Sequence, residues 1–354
     1  MRFEPFDGLR NTMSMRPIPT IFSLSVAGAL ILGSLAWAQP SPDPKGLTPA
    51  QIVNAAPATD WVSIAPADLL VMDLAPDAQN RPRRVIIQLM PPPFSQGWVG
   101  NVRKFAEQHW WDGASVYRVQ DNYVAQWGDP EDGNPEKAKP PPAGLSVVSE
   151  AQYVSRAGED ILTRTTRWSE ILQSPCRGEG QGNPACGKLR HDDPYSASTA
   201  FFAGWPIASD QDAFWPIHCY GMIGVARDLS PNTGSGSSLY VVIGHAPRQL
   251  DRNIALIGRV IDGVEHLSSL PRGPAPLGVY SEPTERTPIR SVRLVSELTT
   301  AEQPRFQYLS TASSSFAQYA KARAQRHDAF FLQPAGGVDI CNVPTPIRQT
   351  PKAR

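Results

Sequence analysis

The sequence predicts a mainly β protein with many loops. Its 354 residues include 36 prolines and 27 glycines, and few segments repeat apolar residues with the period of about 3.6 that a long helix needs. Short β-branched runs bounded by turn residues recur instead, the clearest at residues 84–90. A chain of this length holds one large domain or two small ones.

The charge balance argues against nucleic acid as the main partner. The chain has 33 Lys+Arg and 33 Asp+Glu, so its formal net charge is +0. Proteins that bind nucleic acid neutralise phosphates with a cationic surface, and this composition does not supply one.

Residues 1–38 have the pattern of a secretory signal peptide. Arg2, Arg10 and Arg16 precede an apolar run over 21–37, and small residues at 36 and 38 stand where a signal peptidase reads. We therefore expect export, with cleavage before residue 39. The alternative is a retained membrane anchor, which the short apolar run disfavours.

Export makes the cysteines informative. The four are Cys176, Cys186, Cys219 and Cys341, an even count that predicts disulfides in an oxidising compartment. The short loop between Cys176 and Cys186 favours their pairing, which leaves Cys219 for Cys341, although four cysteines allow three pairings. A metal site built from His191, His218 and cysteines is the alternative, but no C-x-x-C or H-x-x-x-H spacing supports it.

The elements before residue 130 are predicted as strand, helix, strand, strand. Residues 39–78 contain a Pro-rich linker and short lead-in strands, and 84–90 form a strand that three prolines end. Ser95 is a candidate N-cap for the following helix and Gly113 a candidate stop. Extended chain is expected over 114–126.

The second half of the chain is predicted to return to strands after a less regular stretch. Residues 130–142 are charged and Pro-rich, whereas 149–173 carry apolar residues at roughly helical spacing. Strands are expected at 220–226, 238–244, 254–261 and 289–294, with a short helix at 263–270 and a long amphipathic helix at 306–326.

One segment, 116–129, carries polar side chains within an apolar strand pattern. Arg118 and Gln126 stand among valines, and burying an arginine is costly unless it is paired or faces a site. The structural alternative is an ion pair between Arg118 and Asp129 or Glu131.

The motifs around Arg118 belong to an ordered series. They lie at 111–113, 117–119, 123–129, 220–233 and 250–260. In this order they resemble the YDG turn, the FHRV…FMxQGGD signature and the MAN…PNTxGSQFF and LDGxxxxFGxV segments of the cyclophilin-type peptidyl-prolyl cis-trans isomerases. The resemblance covers about residues 84–294, with a long insertion at about 130–218, and is nearest to a divergent, exported bacterial branch.

This resemblance implies an eight-stranded antiparallel barrel capped by two helices, with a proline-binding groove on its outside. Arg118 would be the catalytic arginine, and Gln126 would hold both it and the substrate backbone. The remaining groove positions would be Tyr123, Val124, Ala226, Ser238, Leu250 and, as the pocket floor, Tyr240 or its neighbour Leu239. The family's reaction requires no cofactor and no metal.

The implied boundaries are 1–38 for the signal peptide, 39–78 for the linker and lead-in strands, 79–298 for the cyclophilin-like domain and 299–354 for a helical C-terminal extension. Several positions depart from the family pattern. Tyr117 replaces a histidine, Ser238 and Gln249 replace a glutamine and a tryptophan, Ile254 replaces a histidine, and Arg227 replaces an asparagine. The arginine centre is therefore kept while the rim differs.

We therefore expect a periplasmic isomerase (EC 5.2.1.8) that acts on X–Pro bonds of unfolded or maturing exported polypeptides. The alternative is a weakly catalytic chaperone or envelope assembly module that binds proline-containing segments. Membrane contact is expected only if the signal segment is retained. A hydrolase site of Ser238, His245 and Asp251 is a further alternative, but the Gly-x-Ser-x-Gly elbow is missing.

Overall fold

The computed structural model describes residues 46–173 and 193–350, and a closed antiparallel barrel forms its centre. In chain order the strands are β1 (Trp61–Ser63), β2 (Leu69–Leu74), β3 (Arg83–Leu89), β4 (Ser115–Val119), β5 (Val124–Gly128), β6 (Ser155–Arg156), β7 (Thr165–Arg167), β8 (Ser198–Phe202), β9 (Trp205–Asp210), β10 (Ala213–Pro216), β11 (Met222–Val225), β12 (Leu239–Val242), β13 (Leu256–Asp262), β14 (Thr287–Leu294), β15 (Phe306–Leu309) and β16 (Ile347–Gln349). The helices are α1 (Pro49–Ala55), α2 (Gln96–Glu107), α3 (Glu159–Arg164), α4 (Trp168–Gln173), α5 (Glu265–Ser268) and α6 (Ser314–Ala324).

Eight strands close the barrel in the order β11-β12-β5-β4-β14-β2-β3-β13, and β13 pairs back onto β11. The longest uninterrupted pairing joins β2 to β3, from Leu69 opposite Gln88 to Leu74 opposite Arg83. The eight-stranded antiparallel barrel is thus confirmed. The sequence predicts that this domain begins at residue 79. The barrel begins earlier than that, because β2 (Leu69–Leu74) is one of its strands.

Side-chain alternation along the barrel strands creates an inner and an outer apolar layer. On β2, Leu70 and Met72 belong to the main core, while Leu69 and Val71 belong to a separate outer cluster. The helix α2 adds a stripe of buried residues to the main core, namely Trp98, Val99, Val102, Phe105 and Ala106. Ser95 precedes this helix in a left-handed conformation (φ 57°), and its side chain makes no capping hydrogen bond, contrary to the prediction.

The described parts of the insertion, 130–173 and 193–218, contain a five-stranded sheet. Its strands follow the order β6-β10-β9-β8-β7, and Phe201, Phe202 and Trp205 pack into the main core. The helical spacing of 149–173 corresponds to α3 and α4, which are six residues each and are separated by β7.

The C-terminal extension begins with a strand. Residues 306–309 form β15, which pairs with β1 on one side and β16 on the other, so the long helix predicted over 306–326 is wrong at its start. The helix α6 begins at Ser314, after Ser313 accepts the N–H of Phe316 on its hydroxyl. In the part of the chain that is described, every helix is too short or too polar to cross a bilayer.

A disulfide fastens this extension to the end of the insertion. Cys219 and Cys341 are joined, with Cα atoms 5.1 Å apart, as the sequence predicts. Cys176 and Cys186, like the signal segment, lie outside the described residues, so their pairing stays a prediction.

Candidate active site

Arg118 and Gln126 lie opposite each other on the paired strands β4 and β5. The Arg118 Nη1 donates to Gln126 Oε1 (2.9 Å), Nε donates to the Leu277 carbonyl (2.7 Å), and Nη2 donates to Gln120 Oε1. All of these acceptors are uncharged oxygens. The guanidinium is therefore fixed in direction without a carboxylate that would neutralise it.

The carboxylates proposed as alternative partners are engaged elsewhere. Glu131 pairs with Arg286 at 3.4 Å. Asp129 accepts the backbone N–H groups of Glu131 and Lys139. The ion-pair alternative for Arg118 is therefore wrong.

Two hydroxyl groups orient the Gln126 amide. Its Nε2 donates to Tyr117 Oη and to Ser238 Oγ (3.2 Å), and these two oxygens are 2.7 Å apart. Because both acceptors lie on the Nε2 side, the amide oxygen points at Arg118. Tyr117 and Ser238 are two of the positions that depart from the family signature, and they depart as a contacting pair.

The phenol of Tyr117 is protonated throughout the neutral range. Burial raises its pKa, and the hydrogen bonds with Ser238 and Gln126 offset only part of that rise. A protonated phenol both accepts from Gln126 and donates to Ser238, so the hydroxyl network is complete.

The segment 271–280 forms a wall beside Arg118. The Val119 N–H donates to the Gly278 carbonyl (2.8 Å), and the Tyr280 N–H donates to the Tyr117 carbonyl (2.9 Å). Gly278 has φ 73°, and a Cβ there would lie 2.5 Å from the Val119 carbonyl oxygen, so glycine is needed. This close approach brings the Leu277 carbonyl to Arg118.

An apolar cluster lies next to Arg118 on the outside of the barrel. This outer apolar cluster consists of buried Val124, Tyr240 and Val242 together with half-buried Tyr123, Leu250 and Ile254. The Arg118 guanidinium carbon is 5.8 Å from the centre of the Tyr123 ring. Leu239 belongs to the barrel core instead, so Tyr240 is the residue of the two that lies beside Val124.

Ala226 directly follows β11, and its N–H donates to the Ser238 carbonyl (2.9 Å). Of the groove positions inferred from the resemblance, Tyr123, Val124, Tyr240 and Leu250 lie in the outer apolar cluster. Ser238 contacts Gln126, whereas Ala226 contacts the Ser238 backbone and Leu239 lies in the barrel core.

A family model described as cyclophilin type peptidyl-prolyl cis-trans isomerase/CLD matches residues 95–294. That match spans more than half of the chain. The chain belongs to the cyclophilin-type peptidyl-prolyl cis-trans isomerase family. It is therefore a peptidyl-prolyl cis-trans isomerase (EC 5.2.1.8), and proline-containing polypeptides are the substrates of its family.

One solved structure supports the fold, and a second aligns less closely. The crystal structure of a cyclophilin from Hirschia baltica aligns with a TM-score of 0.60 and 21% identity, covering 83% of this chain and 95% of that one. A cyclophilin-type isomerase of Cryptosporidium parvum aligns with a TM-score of 0.36 and 11% identity, covering 64% of this chain and 96% of that one. No curated protein matches the sequence.

The alternative hydrolase site is not assembled, and of the alternative metal ligands His191, Cys176 and Cys186 lie outside the described residues. Ser238 bonds to the Gln126 network, Asp251 bonds to His218 and Arg248, and the His245 N–H donates to Asn122. The hydrolase constellation is therefore wrong. Among the described residues no cluster of His, Cys, Asp or Glu is arranged to hold a metal ion.

Sequence reasoning missed three contributors to this site. Gln120 and the Leu277 carbonyl bind Arg118, and His218 bonds to the hydroxyl of Tyr240 at 3.0 Å. Gln120 directly follows β4 and lies two residues from Arg118, a spacing that places side chains on one side of extended chain and is a usable signal. The other two belong to segments without a family motif.

Proposed function

We propose that Arg118 catalyses the isomerisation by stabilising the twisted X–Pro bond of an exported polypeptide whose proline ring occupies the outer apolar cluster. One observation carries this proposal: the Arg118 guanidinium, held by neutral acceptors, lies beside the outer apolar cluster, half of whose residues are only partly buried. Its contacts leave N–H donors of the terminal nitrogens available for a ligand, because a guanidinium has more donors than these bonds use.

The chemistry requires no covalent step. Amide resonance gives a barrier of about 18–20 kcal/mol, and uncatalysed exchange of an X–Pro bond takes tens to hundreds of seconds. In the twisted state the prolyl nitrogen becomes pyramidal and gains a lone pair. A fixed cationic donor aimed at that nitrogen stabilises the twisted state more than either planar isomer.

The division of labour follows from the geometry. One preorganised donor supplies about 3–4 kcal/mol, and a turnover near 10³ per second requires roughly 7 kcal/mol in all. Orientation of the ring against Tyr123, Val124 and Tyr240 supplies the remainder. Gln126 acts as a positioning residue, since it directs Arg118 and is itself directed by Tyr117 and Ser238.

The periplasm is proposed as the compartment. The signal pattern of residues 1–38 supports export, and the Cys219–Cys341 disulfide suits an oxidising environment. Expression of the full chain in a bacterial host, followed by mass spectrometry of the periplasmic fraction, tests this. A mature form beginning at Gln39 is expected, and a full-length form in the membrane fraction would contradict it.

The catalytic role is tested with Arg118→Ala and Arg118→Lys. Loss of the donor is expected to lower kcat by about 10²–10³, with a smaller change in peptide affinity. Lysine is expected to recover little, because it cannot contact Leu277, Gln120 and Gln126 together. Arg84→Ala is the matched control, since Arg84 lies on a barrel strand and forms an exposed pair with Asp73.

The assay is NMR exchange spectroscopy on an X–Pro peptide, with peptide affinity measured separately. An Arg118→Ala variant as active as Arg84→Ala would overturn the role of the arginine. Peptide binding by the wild type without any acceleration would favour the chaperone alternative.

A further inference from the structure

A chain of buried polar groups runs from the insertion to the floor of the outer apolar cluster. Asp193 forms a bidentate pair with Arg248 (2.9 and 2.8 Å), and Arg248 Nε contacts Asp251 at 2.6 Å. Asp251 bonds to His218 Nδ1 at 2.8 Å, and His218 Nε2 lies 3.0 Å from Tyr240 Oη. Asp193 and His218 come from the insertion, while Tyr240 belongs to the cluster.

This polar chain is buried throughout. Tyr240, His218, Arg248 and Asp251 expose 4%, 0%, 3% and 6% of their surface, and the Asp193 side chain exposes 5%. Buried ionic networks of this kind are often no more stabilising than an apolar replacement. This network joins its members in one arrangement, and the last of them, Tyr240, belongs to the outer apolar cluster.

The direction of His218 is fixed from one side. Asp251 Oδ1 faces both the His218 ring Nδ1 (2.8 Å) and the His218 backbone N–H (3.0 Å). The carboxylate at Nδ1 orients the ring so that Nε2 lies within hydrogen-bond distance of the Tyr240 hydroxyl. Burial also raises the pKa of Tyr240 well above its usual value, which keeps that hydroxyl available as a donor.

The direction of Tyr240 also depends on a glycine across the sheet. Gly224 on β11 pairs with Tyr240 on β12. A Cβ at Gly224 would lie 2.3 Å from both Cζ and Oη of Tyr240, so the phenol passes directly over the glycine backbone on its way to His218. The ring thus rests on Gly224 and is held at its far end by His218.

We infer that His218 is a positioning residue that sets the shape of the proline pocket, and that the insertion holds His218 in place through Asp193, Arg248 and Asp251. The inference rests on the proposed function in that the outer apolar cluster is taken as the proline site. It assigns the insertion a role in specificity: a pinned Tyr240 leaves a pocket of fixed size, which favours a five-membered ring over a larger one.

The test compares two peptides that differ only in the ring, one with proline and one with six-membered pipecolic acid. For each, kcat/KM and the dissociation constant are measured by NMR. Wild type is expected to prefer proline. His218→Phe and Tyr240→Phe are each expected to reduce that preference by about fivefold, the factor that corresponds to one buried hydrogen bond.

Two further variants separate positioning from folding. His218→Gln keeps an oxygen that can accept from Tyr240, so it is expected to restore part of the preference. Arg259→Lys is the matched control, because Arg259 is also buried and also joins the barrel to the insertion: it bonds to Gln88 on β3 and to the Gly204 carbonyl of the insertion. It is expected to lower stability while leaving the ring preference unchanged.

The outcomes are distinct. Equal losses for both peptides in Tyr240→Phe and His218→Phe, or no loss at all, would overturn the inference. If His218→Phe does not fold, Tyr240→Phe alone decides, since it removes only the hydroxyl. If the wild type binds both peptides without accelerating either, the proposed function fails, and the ratio of dissociation constants still decides whether His218 sets the pocket.

Discussion

Replacing Tyr117 by phenylalanine removes one hydroxyl and leaves the ring in place. The hydroxyl accepts from Gln126 Nε2 and lies 2.7 Å from Ser238 Oγ. Each such bond contributes about 1 kcal/mol net, and Ser238 still contacts Gln126 after the change. We therefore expect the free energy of unfolding to fall by about 1–2 kcal/mol.

The same substitution is expected to affect catalysis. With one of its two anchors gone, the Gln126 amide can turn away from Arg118, and the guanidinium loses its Nη1 acceptor. A loss of about 1.4 kcal/mol in transition-state stabilisation corresponds to a tenfold lower kcat/KM. Most of this should appear in kcat, because the outer apolar cluster is unchanged.

The measurement is a double-mutant cycle with Ser238→Ala, using kcat/KM from NMR exchange and unfolding free energies from urea titration. Contacting residues should show a coupling energy of about 1 kcal/mol. Tyr319→Phe is the control, because Tyr319 is buried and bonds to the Pro344 carbonyl in the C-terminal extension. If Tyr117→Phe loses stability but keeps the kcat/KM of the control, the reasoning about Gln126 is refuted.

Three other outcomes are expected. Replacing both Cys219 and Cys341 by alanine opens a loop with a sequence separation of 122 and should lower the free energy of unfolding by about 4–5 kcal/mol in the chain-entropy model. A loss below about 1 kcal/mol in urea titration would contradict this expectation. Arg259→Lys removes the planar fork that contacts Gln88 and the Gly204 carbonyl, and should lower the free energy of unfolding by about 2–3 kcal/mol in thermal unfolding; an unchanged midpoint would mean that the contact is not stabilising. Burial raises the pKa of Tyr319 to about 12 from its usual 10.0. The stability that the Tyr319 hydroxyl contributes is therefore complete below pH 10 and is lost as pH rises toward 12. The difference in unfolding free energy between wild type and Tyr319→Phe should shrink across that window, and a constant difference would disprove the linkage.

The barrel could be predicted from sequence because its signals are local or ordered. The strand at 84–90 is a β-branched run, and the motif order gives the positions of β4, β5, β11 and β12. Segments whose structure depends on distant partners were predicted less well. Residues 306–309 form a strand because β1 and β16 lie on either side of them, and no pattern within 306–326 signals those partners.

The candidate site likewise contains some residues that could be identified from sequence and others that could not. Arg118 and Gln126 were identifiable because both belong to the motif that resembles the family signature, and the structure places them opposite each other across one hairpin. The Leu277 carbonyl could not be identified, since a backbone oxygen carries no residue signature and lies 159 positions from Arg118. The role of Tyr117 was also hidden, because a tyrosine in place of a histidine becomes meaningful only beside Ser238.

The closure of the barrel by β2 and β3 bears on how the molecule can be divided. The region that matches the family model, 95–294, excludes both strands, and in the closed order they stand between β14 and β13. A fragment limited to that region would expose two unpaired strand edges, each a template for association with other chains. A fragment that keeps the closed barrel therefore has to start before Leu69, and the barrel closes only when β2, made early in synthesis, pairs with β14, made late.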